Sequence, residues 1–169
     1  YEGQQKGQSG EENLLSFESL PYTGFAKTYN TDSQTPDSAG TMTAMMTGVK
    51  TRMGMLSIDQ SAKRGDCAAS QQAQLGTALE LAEIAGMATG IVTTTSITHA
   101  TPAATYAHAP ERNWENDSDL SEADKTAGCR DIARQFAEFN IGDGIEVALG
   151  GGRQHFMPAG MDDPEYQEF

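Results

Sequence analysis

The clearest periodic signal lies between residues 72 and 88, where Leu75, Ala78, Leu79, Ala82, Ile84 and Ala85 fall on one face of a helix. A β-branched stretch, Ile91-Val92-Thr93-Thr94-Thr95, follows directly and predicts a buried strand over 90–95, as a helix-to-strand connection requires. After an acidic loop at 117–124, Cys129, Ile132, Ala133, Phe136 and Phe139 form a second helical stripe, and 145–149 reads as the next strand. Upstream, 24–29 reads as a strand feeding a loop, and 41–47 has helical character closed by Gly48. Residues 1–10 are polar and Gly-rich, as a loop or frayed helix end would be, and 54–69 are irregular. Three strands and about three helices in alternation predict an α/β fold, part of a doubly wound, mostly parallel sheet with helices on both faces. There is no internal repeat and no low-complexity segment.

Composition narrows the class. At 169 residues the chain is long enough for one domain with a real core. An apolar share of 37% and a mean hydropathy of −0.51 go with the absence of any run long enough to span a membrane as a helix, and no signal-peptide core is visible. The chain begins at Tyr1 rather than Met, so the natural start, with any targeting signal, is expected upstream. The formal charge is −13 and uneven: residues 1–66 carry 6 basic and 8 acidic side chains, residues 67–169 carry 5 and 16. Such a surface repels polyanions and argues against general nucleic-acid binding.

Candidate chemistry begins at Gln34-Thr35-Pro36-Asp37-Ser38-Ala39-Gly40-Thr41. Pro36 pushes Thr35 into an extended conformation. Ser38 then falls at a loop-to-helix junction, where free amides and the helix dipole favour an anion, with Asp37 beside it to orient a cation. The competing reading is an ordinary capping serine. Just beyond the strand at 90–95 come His99, Thr101 and Arg112: an imidazole, a hydroxyl and a guanidinium at the carboxyl end of a strand, where open α/β sheets keep ligand sites.

Taken together these stretches resemble the alkaline phosphatases. Pro36-Asp37-Ser38-Ala39-Gly40-Thr41 resembles the nucleophile signature, and 94–109 with Arg112-Asn113-Trp114 resembles the segment carrying a magnesium ligand and the phosphate-binding arginine. Gly128-Cys129-Arg130-Asp131-Ile132-Ala133 and Gly150-Gly151-Gly152-Arg153 extend the likeness over most of the chain. The resemblance implies hydrolysis of phosphate monoesters through a phosphoserine on Ser38, with Arg112 holding two phosphate oxygens and Asp37 orienting Arg112. It implies two zinc ions, one meeting the Ser38 oxygen, and one magnesium ion that takes the Thr101 hydroxyl. Metal ions would also offset the acidic surface at an anion site. His99 stands where enterobacterial enzymes carry aspartate and animal-type enzymes carry histidine, so contact through a metal-bound water is expected.

The family places a metal-binding aspartate before Tyr1 and its remaining zinc ligands beyond Phe169. Residues 1–169 are therefore expected to be a single partial domain, the N-terminal portion of an alkaline phosphatase-like catalytic domain. The implied partners are phosphate monoesters and inorganic phosphate, with a homodimer for the full-length enzyme. The alternative is a non-catalytic phosphate- or metal-binding remnant of the same fold. Cys67 and Cys129 are the only two cysteines, 62 residues apart, either free thiols of a cytosolic protein or a bonded pair. Animal-type members pair cysteines in matching contexts, which implies a disulfide and a periplasmic or extracellular site, with or without a membrane anchor.

Other features carry less. His108 and His155 match no zinc-binding histidine of the family and are left as structural. Gly150-Gly151-Gly152-Arg153 lacks the Gly-Lys-Ser/Thr ending of a phosphate loop and reads as a glycine-rich turn. The eight methionines, Met42, Met45, Met46, Met53 and Met55 among them, read as core filler. Asn116-Asp117-Ser118 is a glycosylation sequon, meaningful only in a source that glycosylates secreted proteins.

Overall fold

The computed structural model describes residues 1–157 and Met161. Its central feature is a parallel pair of strands, β1 (Gly90–Ser96) and β2 (Val147–Gly151), in register from Gly90 opposite Val147 to Val92 opposite Leu149, with a shift before Ser96 meets Gly151. Helices precede, link and flank them: α1 (Glu2–Gln5), α2 (Ser38–Thr47), α3 (Cys67–Ser70), α4 (Ala78–Ile84), α5 (Ala100–Ala103), α6 (Glu122–Thr126) and α7 (Ile132–Ala137). This is an α/β fold with a parallel sheet, as the alternating pattern predicts.

Local chemistry fixes the boundaries. Asp37 caps α2 by accepting from the Gly40 amide at 3.0 Å, and Gly48 ends it in the left-handed region at φ +74°. The expected helix over 72–88 is shorter. Residues 72–76 are drawn off by a bridge between Ile58 and Gln74 and by the Leu75 amide on the Ser57 carbonyl, so α4 starts behind a Thr77–Glu80 capping box. The second stripe is carried by α7, with Cys129 before it and Phe139 after it, and α6 begins inside the stretch expected to be an acidic loop. Gly128 turns the chain at φ +84° between α6 and α7, and Asp131 caps α7.

The expected strand at 24–29 is not formed: these residues carry no regular structure and are exposed, with Phe25 wholly in solvent and no strand partner among the described residues. Two strands therefore stand among the described residues where three were expected. Nor is β1 buried throughout. Ile91 is its one buried residue, while Val92 is 75% exposed, because among the described residues β2 is the only strand beside β1 and one face lies open beside Val147 and Leu149. The glycines at 150 and 151 belong to β2 rather than to a turn. A Cβ on Gly150 would lie 2.7 Å from Thr93 Cγ2, so close strand packing explains it.

The main core gathers Ala39, Leu56, Leu79, Ile91, Ile97, Tyr106 and Ile132 with an alanine cluster (Ala100, Ala103, Ala104, Ala107, Ala109) that lets α2 and α5 approach closely. Met55 is fully buried and Met42 and Met46 pack against the core, as filler would, but Met45 is exposed. A further cluster joins Cys67, Trp114, Leu120 and Cys129 around a disulfide whose Cα atoms are 5.7 Å apart.

Candidate functional site

The cap of α2 sets the geometry. Because Asp37 occupies the cap, Ser38 becomes the first helical residue and its hydroxyl is released from capping duty. Asp37 is gripped by four donors. The Gly40 amide (3.0 Å) and Asn30 Nδ2 (2.8 Å) bind Oδ1; the Gly54 amide (2.9 Å) and Arg112 Nη1 (3.2 Å) bind Oδ2. Burial pushes its carboxyl up, but these four hydrogen bonds outweigh burial and hold it below the usual aspartate value.

Arg112 arrives from the segment after α5 and is anchored through its own amide on the Gly54 carbonyl at 2.8 Å. Gly54 thus ties Asp37 and Arg112 together, in a left-handed conformation (φ +79°) with the Arg64 guanidinium packed against its Cα. Arg64 is in turn held by a two-pronged pair with Glu111. Arg112 Nη1 also donates to Ser38 Oγ at 2.8 Å, so hydroxyl, carboxylate and guanidinium form one connected group at the N-terminus of α2. That helix end adds partial positive charge, and the assembly is suited to an oxyanion.

His99 caps α5, its Nδ1 facing the Thr101 amide at 3.4 Å, and its Nε2 lies 3.3 Å from Arg112 Nη2. The Thr101 amide and the guanidinium both donate, and a neutral imidazole has one accepting nitrogen, so the ring accepts from one of them at a time. Thr101 is exposed and lines a separate cleft of about 200 Å³ with Met42, Thr93 and Pro102 along β1. The structure therefore brings Asp37, Ser38, His99 and Arg112 together, and places Thr101 two residues beyond His99. A hollow of about 110 Å³ lined by Cys67, His108, Trp114 and Arg130 lies apart from this group.

Ser38, Thr101 and His99 offer oxygen and imidazole donors of the kinds that zinc and magnesium accept. They are too few to hold an ion alone, and among the described residues no three His, Cys, Asp or Glu side chains gather as a metal site. His108 lies between Ser57 and Glu80, and His155 between Glu115 and Asn116, both apart from Ser38. Asn116, the sequon asparagine, is thus engaged through its side-chain nitrogen. Asn30, Gly54 and the Arg64–Glu111 pair were not read from the sequence. Only Gly54, a glycine amid irregular chain, offered a local cue.

Serine, aspartate and arginine gathered at a helix end beside a parallel sheet make this an α/β protein with a polar site suited to an anion. The sequence profile of the alkaline phosphatases matches residues 1–169. The tissue-nonspecific alkaline phosphatase of Gallus gallus is 45% identical over 166 residues, 98% of this chain and 32% of that protein. The Thermus thermophilus alkaline phosphatase structure superposes with a TM-score of 0.63 at 32% identity, over 91% of this chain and 26% of that one. A mutant of the alkaline phosphatase from the Antarctic bacterium TAB5, with Mg bound in its M3 site, superposes at 0.56 with 27% identity, over 77% of this chain and 30% of that one. The chain belongs to the alkaline phosphatase family. It spans about a third of the length of the curated relatives it matches.

Proposed function

We propose that this chain is the N-terminal portion of an alkaline phosphatase catalytic domain and carries the nucleophile and phosphate-binding half of a phosphomonoesterase. The observation that carries the reading is the contact of Arg112 Nη1 with both Ser38 Oγ (2.8 Å) and Asp37 Oδ2 (3.2 Å). Arg112 draws two non-bridging oxygens of the ester into a charged fork while Asp37 keeps its plane fixed. Ser38 Oγ attacks phosphorus and gives its hydroxyl proton to solvent, and the bond from phosphorus to the leaving oxygen breaks as the serine ester forms, that oxygen taking a proton from water to leave as the alcohol. Water then cleaves the phosphoserine, returning Ser38 and releasing inorganic phosphate.

A serine hydroxyl is a weak nucleophile at its ordinary pKa, and no histidine among the described residues contacts Ser38 Oγ. Two zinc ions and one magnesium ion would supply the missing charge at the hydroxyl and the leaving oxygen. Ser38 would contribute to one zinc and Thr101 to the magnesium, with His99 acting through water, and the other ligands are assigned to the rest of the protein. The disulfide supports an oxidising location, periplasmic or extracellular. A homodimer is the proposed assembly of the complete protein, and nucleic acid is not a proposed partner.

Incubation of the complete protein with labelled inorganic phosphate at acidic pH, followed by peptide mapping, tests the reading. Label on Ser38 that disappears in Ser38→Ala is expected. Label elsewhere overturns the assignment, and phosphate binding without any covalent label would instead favour the non-catalytic remnant.

A further inference from the structure

Asn30 is 3% exposed, yet its side-chain oxygen has no hydrogen-bond partner. Buried polar atoms are nearly always paired, so such an atom asks for a reason. The other half of the amide supplies one. Nδ2 donates to Asp37 Oδ1 at 2.8 Å, and because a carboxylate only accepts, the amide must present its nitrogen there.

The backbone of Asn30 is fixed by a reciprocal pair with Ser33, at 3.0 and 3.3 Å. Its amide plane is pressed against Gly40, where a Cβ would stand 2.7 Å from Oδ1 and 3.0 Å from Cγ. The donor is therefore immobilised from both sides. Together with the Gly40 amide it takes Oδ1 of Asp37, which leaves Oδ2 aimed at the Gly54 amide and Arg112 Nη1.

We propose that Asn30 is a positioning residue for phosphate binding: it sets the plane of the Asp37 carboxylate, and through it holds the Arg112 guanidinium at Ser38. The inference rests on the phosphatase reading above for its function, but not for its geometry. Asn30 touches neither the phosphate nor the nucleophile, so its effect must pass through Arg112.

That path dictates the test. Asn30→Asp keeps the shape and places a second carboxylate against Asp37. In the complete protein it is expected to raise the inhibition constant of inorganic phosphate about tenfold or more, the size of a lost charged hydrogen bond. Asn30→Ser, which retains a donor, should recover part of the loss. In an Arg112→Ala background the Asn30→Asp change should cost less than about twofold, because the residue it acts through is gone. An equal loss in both backgrounds, or no loss in the first, overturns the proposal.

A crystal structure of Asn30→Asp separates the two levels of inference. Arg112 drawn about 1 Å or more from Ser38 is expected, a displacement on the scale that matters for catalytic geometry. An unmoved Asp37–Arg112–Ser38 group overturns the proposal whether or not phosphate binds. A wild-type protein that neither binds phosphate nor becomes labelled would sink the phosphatase reading, and the crystal structure would still decide what Asn30 holds.

Discussion

Replacing His108 by leucine should destabilise the protein strongly at mildly acidic pH and much less at alkaline pH. Both ring nitrogens of His108 face acceptors, Nδ1 the Ser57 carbonyl at 3.1 Å and Nε2 Glu80 Oε1 at 2.8 Å, so satisfying both requires the doubly protonated ring. Burial pushes the imidazole down, but the bond to Glu80, that group's charge and the Ser57 carbonyl outweigh it against an opposing Arg130, and the pKa lies above its ordinary 6.5. For Glu80, burial pushes up and is outweighed by His108 and Thr77, so its pKa lies below 4.5.

The two signs define a window. The contribution from His108 is complete below its unfolded value and is lost as pH rises through the raised folded value; that from Glu80 is present above 4.5 and is lost as pH falls through its lowered one. The side chains are only 14% and 11% exposed, so the leucine variant leaves a nearly buried carboxylate with Thr77 as its remaining partner. Breaking a buried pair costs about 3–5 kcal/mol, and partial exposure puts this one near 3 kcal/mol at the pH of maximum effect. Urea unfolding of the complete protein and of His108→Leu, followed by circular dichroism between pH 5 and pH 10, measures the difference. A gap that is constant across this range, or that widens with pH, refutes the reasoning.

Arg112→Ala should weaken inorganic phosphate binding by about 1.5–3 kcal/mol, read as an inhibition constant, with the fold retained. Gly40→Ala should lower stability by about 1–3 kcal/mol in thermal unfolding, since the new methyl meets Asn30 at 2.7 Å and the Arg52 carbonyl at 3.2 Å inside a packed core. Cys67→Ser opens a loop of 62 residues and should cost about 4 kcal/mol on the chain-entropy account, and unreduced wild-type protein should show no alkylatable thiol at Cys67 or Cys129 by mass spectrometry.

The sequence discloses most of what local rules control. Pro36 and Gly48 bracket α2, and the β-branched run marks β1, because capping and strand propensity act over a few residues; that Asp37 rather than Ser38 is the cap, and that the helix starts at Ser38 rather than at 41, appears only in the structure. The disulfide followed from the family likeness rather than from spacing. What stayed hidden depends on partners far along the chain. The 24–29 segment reads as a strand but has no strand partner among the described residues, and α4 loses its expected first turns to contacts with Ser57 and Ile58. Asn30 lies seven residues before Asp37, and its role is visible only once the chain has folded back to lay it beside Gly40.

One exchange at the start of α2 ties fold to chemistry. A serine after a proline-led loop invites the reading that serine is the cap, in which case its oxygen would be tied to an amide of the first turn. Asp37 takes that work and does more with it, since a carboxylate has about four acceptor positions and a hydroxyl two. One of its oxygens serves the helix and Asn30; the other serves Gly54 and Arg112. Thr41 adds its hydroxyl to the Asp37 carbonyl, so the residue is held through backbone and side chain alike. Ser38 is left with Arg112 as its side-chain partner at the positive end of the helix. An Asp37→Ser exchange would still cap α2 while freeing Arg112, so it should preserve the helix and loosen the grip on phosphate. Circular dichroism read beside the phosphate inhibition constant separates those effects, and a variant that keeps wild-type phosphate affinity would show that Arg112 needs no carboxylate behind it.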